Sequence, residues 1–182
     1  MQTREFDAES ESFLNLLASE EKIRTHRVAG VRTVLVILST QGLVFDIESL
    51  KQKVLLSYPD SAVFFANTSG RPTGVIPPAQ VDLLIDMTGP GQRQGMFLAR
   101  KLRRQARVAV GRNAGMFRTK IYDHVFDEKA QKSSLPVDPL ARERIVQREV
   151  LALAGVAMAQ MGDTGPDRGK TIALELPAFK RL

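Results

Sequence analysis

The segment that decides the fold is Val-Arg-Thr-Val-Leu-Val-Ile-Leu at residues 31–38, which follows Gly30 and precedes Ser-Thr-Gln-Gly at residues 39–42. Its β-branched and apolar side chains form a run of strand length between two turn-forming segments. A strand of this kind buries both of its faces, which is typical of the interior of a parallel sheet. We therefore expect residues 31–38 to form a strand covered by helices.

Outward from this strand, apolar runs alternate with segments of helical periodicity. Further strands are predicted at residues 62–66, 81–87, 106–110, 121–126 and 171–176. Helices are predicted at residues 6–22, 45–58, 92–105 and 137–160. This alternation implies right-handed crossovers and a mainly parallel sheet. The expected fold is a Rossmann-like α/β domain at residues 31–182 with helices on both faces, preceded by an amino-terminal helical extension at residues 1–30.

The loops that follow the strands are the expected place for a ligand. In open parallel sheets, ligands bind beyond the carboxyl ends of the strands. The loops at residues 39–46, 67–74, 88–95 and 111–115 are therefore expected along one rim.

Composition excludes several kinds of chemistry. The chain has 182 residues, no Cys and two His, which excludes disulfides, thiolate zinc sites, Cys nucleophiles and multi-histidine metal centres. We expect no metal and no cofactor. No apolar run approaches the roughly 20 residues of a membrane-spanning helix, and the polar start lacks the pattern of a signal peptide. The expected compartment is the cytoplasm, and peripheral attachment to the inner membrane is left open.

The net charge of +6 is concentrated in one segment. Between Met87 and Tyr122 there are nine basic residues and no acidic one, whereas the rest of the chain has 17 basic and 20 acidic residues. The nine are Arg93, Arg100, Lys101, Arg103, Arg104, Arg107, Arg112, Arg118 and Lys120. A local excess of this kind favours an anionic partner. A solvated helix surface is the alternative, and the sequence leaves both open.

A glycine-rich turn, TGPGQRQG at residues 88–95, links a predicted strand to a predicted helix. The backbone N–H groups of such a turn, together with a helix N-terminus, can hold a phosphate or carboxylate. A dinucleotide fingerprint normally follows the first strand, so this turn after the third strand does not favour nicotinamide binding. The candidate anion-binding residues are Gly89, Gly91, Gln92, Arg93 and Gln94.

A candidate basic patch extends the positive field around this turn. Its residues are Arg100, Arg103, Arg104 and Arg107. A basic helix can also bind nucleic acid or an acidic membrane surface. No aromatic residue interleaves residues 100–107, so a stacking platform for single strands is not supported and nucleic acid is not favoured.

The two histidines are assigned structural roles. His124 is next to Asp123, but neighbouring residues of an extended segment point to opposite faces, so an acid-base pair is not favoured. His26 lies between Arg24 and Arg27 and is interpreted as a surface residue.

The order of elements over residues 31–176 resembles the amino-terminal half of the heptosyltransferase-like glycosyltransferases, glycosyltransferase family 9. Family members open with a strand, a Ser/Gly loop and a helix before a Tyr-Pro-Asp motif, to which VLVILSTQG and SYPDSAVFF are similar. An Asp-hydrophobic-hydrophobic-Ile-Asp strand then precedes a basic helix, as in VDLLIDMTGPGQRQGMFLARKL. The later segments RVAVG, KIYDHVF and ARERIVQREVLALAG resemble the next elements of the family.

The resemblance implies a transferase fold with two Rossmann-like halves, of which the carboxyl-terminal half holds the nucleotide-sugar donor. It also implies a Gly-Asp pair in the first loop, whose Asp acts as general base. Here Gly42 is followed by Leu43, which cannot take a proton. Asp46, about one helical turn later, is the remaining candidate base and would need a shifted geometry.

The expected function is that of a non-catalytic binding module derived from a glycosyltransferase half-domain. Its partner would be an anionic small molecule, a glycan or a protein. One alternative is the acceptor-binding half of a glycosyltransferase that needs a separate donor domain. Another is a nucleic-acid or membrane-surface adaptor.

This chain is expected neither to hydrolyse nucleotide sugars nor to transfer from them, because Leu43 occupies the position of the family's base and transfer requires both substrates to be held together. A turnover assay with labelled donors measures this directly. Activity that disappears in Asp46→Asn would show instead that the base has moved by one turn.

Overall fold

The protein has an all-parallel five-stranded sheet with helices on both faces. A computed structural model describes residues 20–38, 46–67, 79–89, 93–113 and 121–157. The strands are β1 (Thr33–Ile37), β2 (Ala62–Ala66), β3 (Val81–Asp86), β4 (Ala106–Asn113) and β5 (His124–Asp127). The helices are α1 (residues 20–26), α2 (Ile47–Ser57), α3 (Arg93–Arg103) and α4 (Pro139–Leu153). The order β2-β1-β3-β4-β5 confirms the predicted Rossmann-like class, with helical residues before the first strand.

Residues 31–38 contain β1, a central strand of the sheet. β1 pairs in parallel with β2 on one side and with β3 on the other, with Val34 opposite Val63 and Leu83. Residues 34–37 are all buried. The apolar run therefore has the role that its composition predicts, because a strand with neighbours on both edges and helices on both faces has no solvent-exposed side.

The sheet separates two apolar cores. On one face, Leu50 and Val54 of α2 and Val146 and Val150 of α4 pack with Leu83 and Ile85 of β3. On the other face, Ala99 of α3 packs with buried side chains that include Leu35, Ile37, Leu84 and Ala109. Among the described helices, α2 and α4 thus share one face, while α3 covers the other.

Asp82 fastens the start of β1 to β3. One of its carboxylate oxygens accepts hydrogen bonds from the N–H groups of Arg32 and Thr33 at 2.8 and 3.0 Å and from the Thr33 hydroxyl at 3.1 Å. These bonds, led by the one from the Arg32 backbone, lower the pKa of Asp82 below its usual value. The first Asp of the motif noted at residues 82–86 therefore has a structural role at the amino end of the sheet.

Helix α4 ends earlier than its apolar periodicity predicts. The prediction of helix to residue 160 is wrong, because α4 stops at Leu153 and Gly155 adopts a φ of 69°. The N–H of Val156 donates to the carbonyl of Leu151 and that of Gly155 to the carbonyl of Ala152. This is a Schellman cap, which satisfies the last carbonyls of the helix and reverses the chain.

Other ends of helices and strands differ from the predicted ones by a few residues. β4 continues three residues past the predicted end at Val110, and β5 starts at His124 instead of residue 121. The amino-terminal helix continues to residue 26, beyond its predicted end. The predicted strand at residues 171–176, the first part of the predicted amino-terminal helix and most of the predicted rim loops lie outside the described residues.

Gly155→Ala is expected to lower the free energy of unfolding by about 2 to 4 kcal/mol, because it adds strain at positive φ to overpacking. A Cβ at Gly155 would lie 2.7 Å from the Arg27 Cα and from the Tyr58 hydroxyl oxygen. Gly30→Ala is the matched control, since Gly30 has a φ of 62° and no atom within 4 Å of the added Cβ. Its cost is expected to be about 1 kcal/mol. Urea unfolding measures both, and equal losses would contradict the packing argument.

Candidate functional site

The carboxyl ends of β1 and β3 form the switch point of the sheet. The chain leaves β1 toward α2, which packs on one face, and leaves β3 toward α3, which packs on the other. In a sheet of order 2-1-3-4-5, this divergence opens a crevice where ligands bind. The predicted anion-binding turn follows β3 directly, so the fold places it at this crevice.

A buried carboxylate lies under the turn. Asp86, the last residue of β3, is fully buried and accepts a hydrogen bond from the Thr88 N–H at 2.8 Å. The Tyr122 hydroxyl donates to its other oxygen. Neither Asp86 nor Tyr122 is among the site residues predicted from the sequence. The sequence feature that could have identified Asp86 is its position as the second Asp of the motif at residues 82–86, at the end of an otherwise apolar strand.

Two glycines allow the close packing around Asp86. A Cβ added to Gly95 of α3 would lie 2.6 Å from the Thr88 side chain, and one added to Gly111 of β4 would lie 2.6 Å from the Tyr122 ring. The start of α3 therefore rests directly on Thr88, and Tyr122 lies across β4. This contact fixes the direction in which α3 leaves the rim.

The described anion-binding candidates are on the rim. Gly89 is buried just after β3, while Arg93 and Gln94 are exposed in the first turn of α3. Gly91 and Gln92 lie outside the described residues. Within the described ranges, no carboxylate pairs with Arg93. The carboxylate of Asp86 is close in sequence to this turn and would repel an anion bound there. Such an anion therefore needs a cation beside it, and Arg93 is the exposed cation in the first turn of α3.

The structure divides the predicted basic patch into two parts. Arg103 donates to the Ala106 carbonyl at 2.7 Å and to Asp123 at 2.8 Å. Arg107 donates to the Ala29 carbonyl at 2.7 Å and lies 3.7 Å from Asp82. Both guanidinium groups therefore hold neighbouring segments together. Arg100 and Arg104 are exposed, and neither pairs with a carboxylate of the described chain.

Arg100 and Arg104 are also distant from the turn. At 1.5 Å per residue, Arg100 lies about 10 Å along the α3 axis from Arg93, and the end of the helix at Arg103, directly before Arg104, lies about 15 Å from it. Both distances exceed the screening length of about 8 Å at physiological salt. The two exposed arginines are thus too far from the turn to stabilise an anion at the rim, and they belong to a separate part of the surface.

Arg112, another cation of the basic segment, is buried in an ion network. Its Nε lies 2.8 Å from Glu128 Oε1 without hydrogen-bond geometry, and its Nη1 donates to both Glu143 oxygens at 2.8 Å. Gln147 also donates to Glu143, and Arg142 lies 3.6 Å from Glu128. This network ties the end of β4 to α4 and to the turn after β5. Arg112 is therefore structural and does not contribute to a cationic surface.

Asp46, the candidate base, is the N-cap of α2. Its Oδ2 accepts the Ser49 N–H at 2.9 Å, and the side chain is exposed. It lies on the α2 side of the switch point, whereas Arg93 lies on the α3 side. Leu43 falls outside the described residues. A capping role alone accounts for the acidic side chain at this position.

The two histidines contact each other. Their rings meet edge to face with centroids 4.8 Å apart, and His26 Nδ1 lies 2.8 Å from the Lys22 carbonyl. The interpretation of His26 as a simple surface residue is therefore wrong, since its ring is partly buried between α1 and β5. Asp123 bonds to Arg103 and to the Ala109 N–H. Burial, with a smaller effect of His26, lowers the pKa of His124 despite Asp123.

A cavity of about 460 Å³ lies away from α3. It is bounded by Lys22, Phe126, Leu135, Glu149 and Leu153, among others. Lys22 and Glu149 form an ion pair at its edge. The described part of the chain contains no cluster of three potential metal ligands and no helix long and apolar enough to cross a membrane.

Comparisons with protein-family models, curated proteins and solved structures gave no match to this chain.

Acidification below about pH 6.5, the ordinary pKa of His, is expected to destabilise the fold through His124. With a lowered pKa in the folded state, His124 takes up its proton more readily when unfolded, so stability rises with pH between the two values. The urea midpoint should fall more on acidification in the wild type than in His124→Asn. His26→Asn, which removes only the smaller cause, should recover part of the loss. An equal fall in all three proteins would contradict this coupling.

Proposed function

We propose that this chain is a non-catalytic binding module, similar to the acceptor half of a heptosyltransferase-like glycosyltransferase, that binds a phosphate-bearing or glycan ligand at the switch-point rim. The observation that carries the proposal is Arg93: an exposed guanidinium in the first turn of α3 without a described carboxylate partner. The helix follows β3 at the edge where parallel sheets bind ligands. Its N-terminal N–H groups and dipole favour a negative charge there.

Several features support binding rather than catalysis. Leu43 replaces the acidic residue that the family resemblance implies. The histidines lie on α1 and β5 and contact each other, so neither is in the crevice between β1 and β3. Asp86, the buried carboxylate closest to the rim, already accepts hydrogen bonds from Thr88 and Tyr122.

One observation favours the alternative of an acceptor-binding half that works with a separate donor domain. Asp46 is an exposed carboxylate at the start of α2, on the rim side of the sheet, and only one of its oxygens is used for the cap. No group of the described residues donates to the second oxygen, which can accept a hydrogen bond from an acceptor hydroxyl. Asp46→Asn keeps the N-cap and removes the base, so it separates the two functions in an assay with both domains present.

Arg93→Ala is expected to weaken binding of a sugar phosphate about five- to 150-fold, the equivalent of about 1 to 3 kcal/mol for a lost charge-assisted hydrogen bond. Arg104→Ala is the matched control, because it removes the same charge just beyond the other end of α3, which lies about 15 Å along the helix axis from Arg93. The measurement is a thermal-shift titration with inorganic phosphate and a panel of sugar phosphates, since a ligand that binds the native state raises its stability.

Equal weakening by both substitutions would indicate a diffuse field effect and argue against a site at the rim. No stabilisation of the wild type by any of these anions at low salt would refute the proposal. Arg93 is exposed and makes no described ion pair, so its substitution is not expected to change the unfolding transition without ligand.

A further inference from the structure

The outer face of α3 carries an aromatic residue surrounded by cations. Gly95 and Ala99 are the buried residues of this helix. At 3.6 residues per turn, Phe97 lies opposite them, and it is 61% exposed. Arg100, Lys101 and Arg104 are all exposed and follow Phe97 at spacings of three, four and seven residues. Phe97, Arg100 and Lys101 therefore share one side of the helix, and Arg104 is the residue directly after its end at Arg103. These four residues are called the Phe97 stripe.

The Phe97 stripe carries a positive charge that nothing described neutralises. Carboxylates pair with Arg103, Arg107 and Arg112, but no described carboxylate pairs with the three cations of the stripe. An exposed Phe is unfavourable in water, and three like charges so close in the chain repel one another. Both features are explained if the stripe meets an anionic surface that also accepts an apolar side chain.

We propose that the Phe97 stripe docks the domain on an anionic lipid surface, with Phe97 inserted at the headgroup level and the three cations over lipid phosphates. Basic residues on an exposed helix attract anionic headgroups, and an exposed aromatic ring among them adds an apolar contact at the headgroup level. Each basic residue near an anionic leaflet raises binding roughly fivefold. The three cations together therefore supply roughly a hundredfold, which makes attachment reversible and dependent on salt.

A lipid surface fits the stripe better than a nucleic acid or an acidic protein does. The described cavity is lined by residues of α1, β5, α4 and the loop before α4, and none of them belongs to α3. The stripe is thus separate from this cavity, and its four exposed side chains can all contact an extended surface. Both tyrosines are buried and the chain has no Trp, so a series of aromatic rings for stacking bases is not present in the described residues.

The stripe begins one helical turn from the rim end of α3. Arg93 lies at that end, four residues before Phe97 and on the same side of the helix, whereas Arg104 follows the other end. The proposed lipid contact therefore starts next to the rim. This inference does not depend on the proposed ligand at Arg93.

The test uses the absence of Trp from the chain. Phe97→Trp introduces one fluorophore at the proposed insertion point, and Leu56→Trp introduces one at a somewhat more exposed position of α2, on the other face of the sheet. Vesicles of phosphatidylglycerol mixed with phosphatidylcholine are expected to shift the emission of Phe97→Trp to shorter wavelength and to leave Leu56→Trp unchanged. Pure phosphatidylcholine vesicles are expected to shift neither.

The effect of charge reversal on vesicle binding is measured by co-sedimentation with the same vesicles. The triple change Arg100→Glu, Lys101→Glu and Arg104→Glu is expected to lower the bound fraction by at least tenfold. The control triple, Lys129→Glu, Lys132→Glu and Arg148→Glu, changes the net charge equally at other exposed positions and is expected to keep binding. Circular dichroism verifies that both variants are folded.

The proposal is overturned if Phe97→Trp shows no shift with anionic vesicles, or if the two triple variants bind equally. Tighter binding of duplex DNA or polyglutamate than of anionic vesicles by the wild-type protein would also overturn it, and would assign the stripe to nucleic acid or to an acidic protein.

Discussion

Parallel pairing of β1 with β3 sets the geometry on which the other features depend. Because the next strand along the chain, β2, lies on the opposite side of β1, the connections after β1 and β3 diverge to different faces of the sheet. That divergence places α2 and α4 on one face and α3 on the other. It also places Asp46 on the α2 side and Arg93 on the α3 side of the switch point. Asp82, which holds the start of β1 against β3 by hydrogen bonds to Arg32 and Thr33, fixes the pairing at its amino end.

The sequence predicts the strands well because each contains a short apolar run. The sheet buries this run almost completely in the central strands β1 and β3 and partly in the edge strands β2 and β5. The ends of the helices and strands were less predictable than their positions. Ala157 and Met161 extend the helical periodicity of α4, but the left-handed conformation of Gly155 ends the helix before them. Gly111, Arg112 and Asn113 have weak strand propensity, and pairing with β5 extends β4 through them. The Asp86–Tyr122 bond joins residues 36 positions apart, so no local pattern predicts it.

Position in the fold, rather than position in the sequence, decides what a charged residue contributes. The segment from Met87 to Tyr122 has no acidic residue, yet carboxylates from distant parts of the chain enter it: Asp82 reaches Arg107, Asp123 reaches Arg103, and two glutamates enclose Arg112. A run of one sign in the sequence is therefore not a surface of one sign. The cationic surface that remains exposed on α3 is therefore smaller than the sequence indicates. It surrounds Phe97, which a count of charges does not identify.

The two tyrosines have a consequence for following the folding of this domain. With no Trp in the chain, the ultraviolet emission of the protein comes from Tyr58 and Tyr122, and these lie in the two different apolar cores. The Tyr58 hydroxyl donates to the Ala154 carbonyl, next to the cap of α4, while that of Tyr122 donates to Asp86 under the start of α3. Each ring is thus a natural optical reporter for one layer. Replacing either with Phe would isolate the signal of the other and show whether the two layers form together or in sequence.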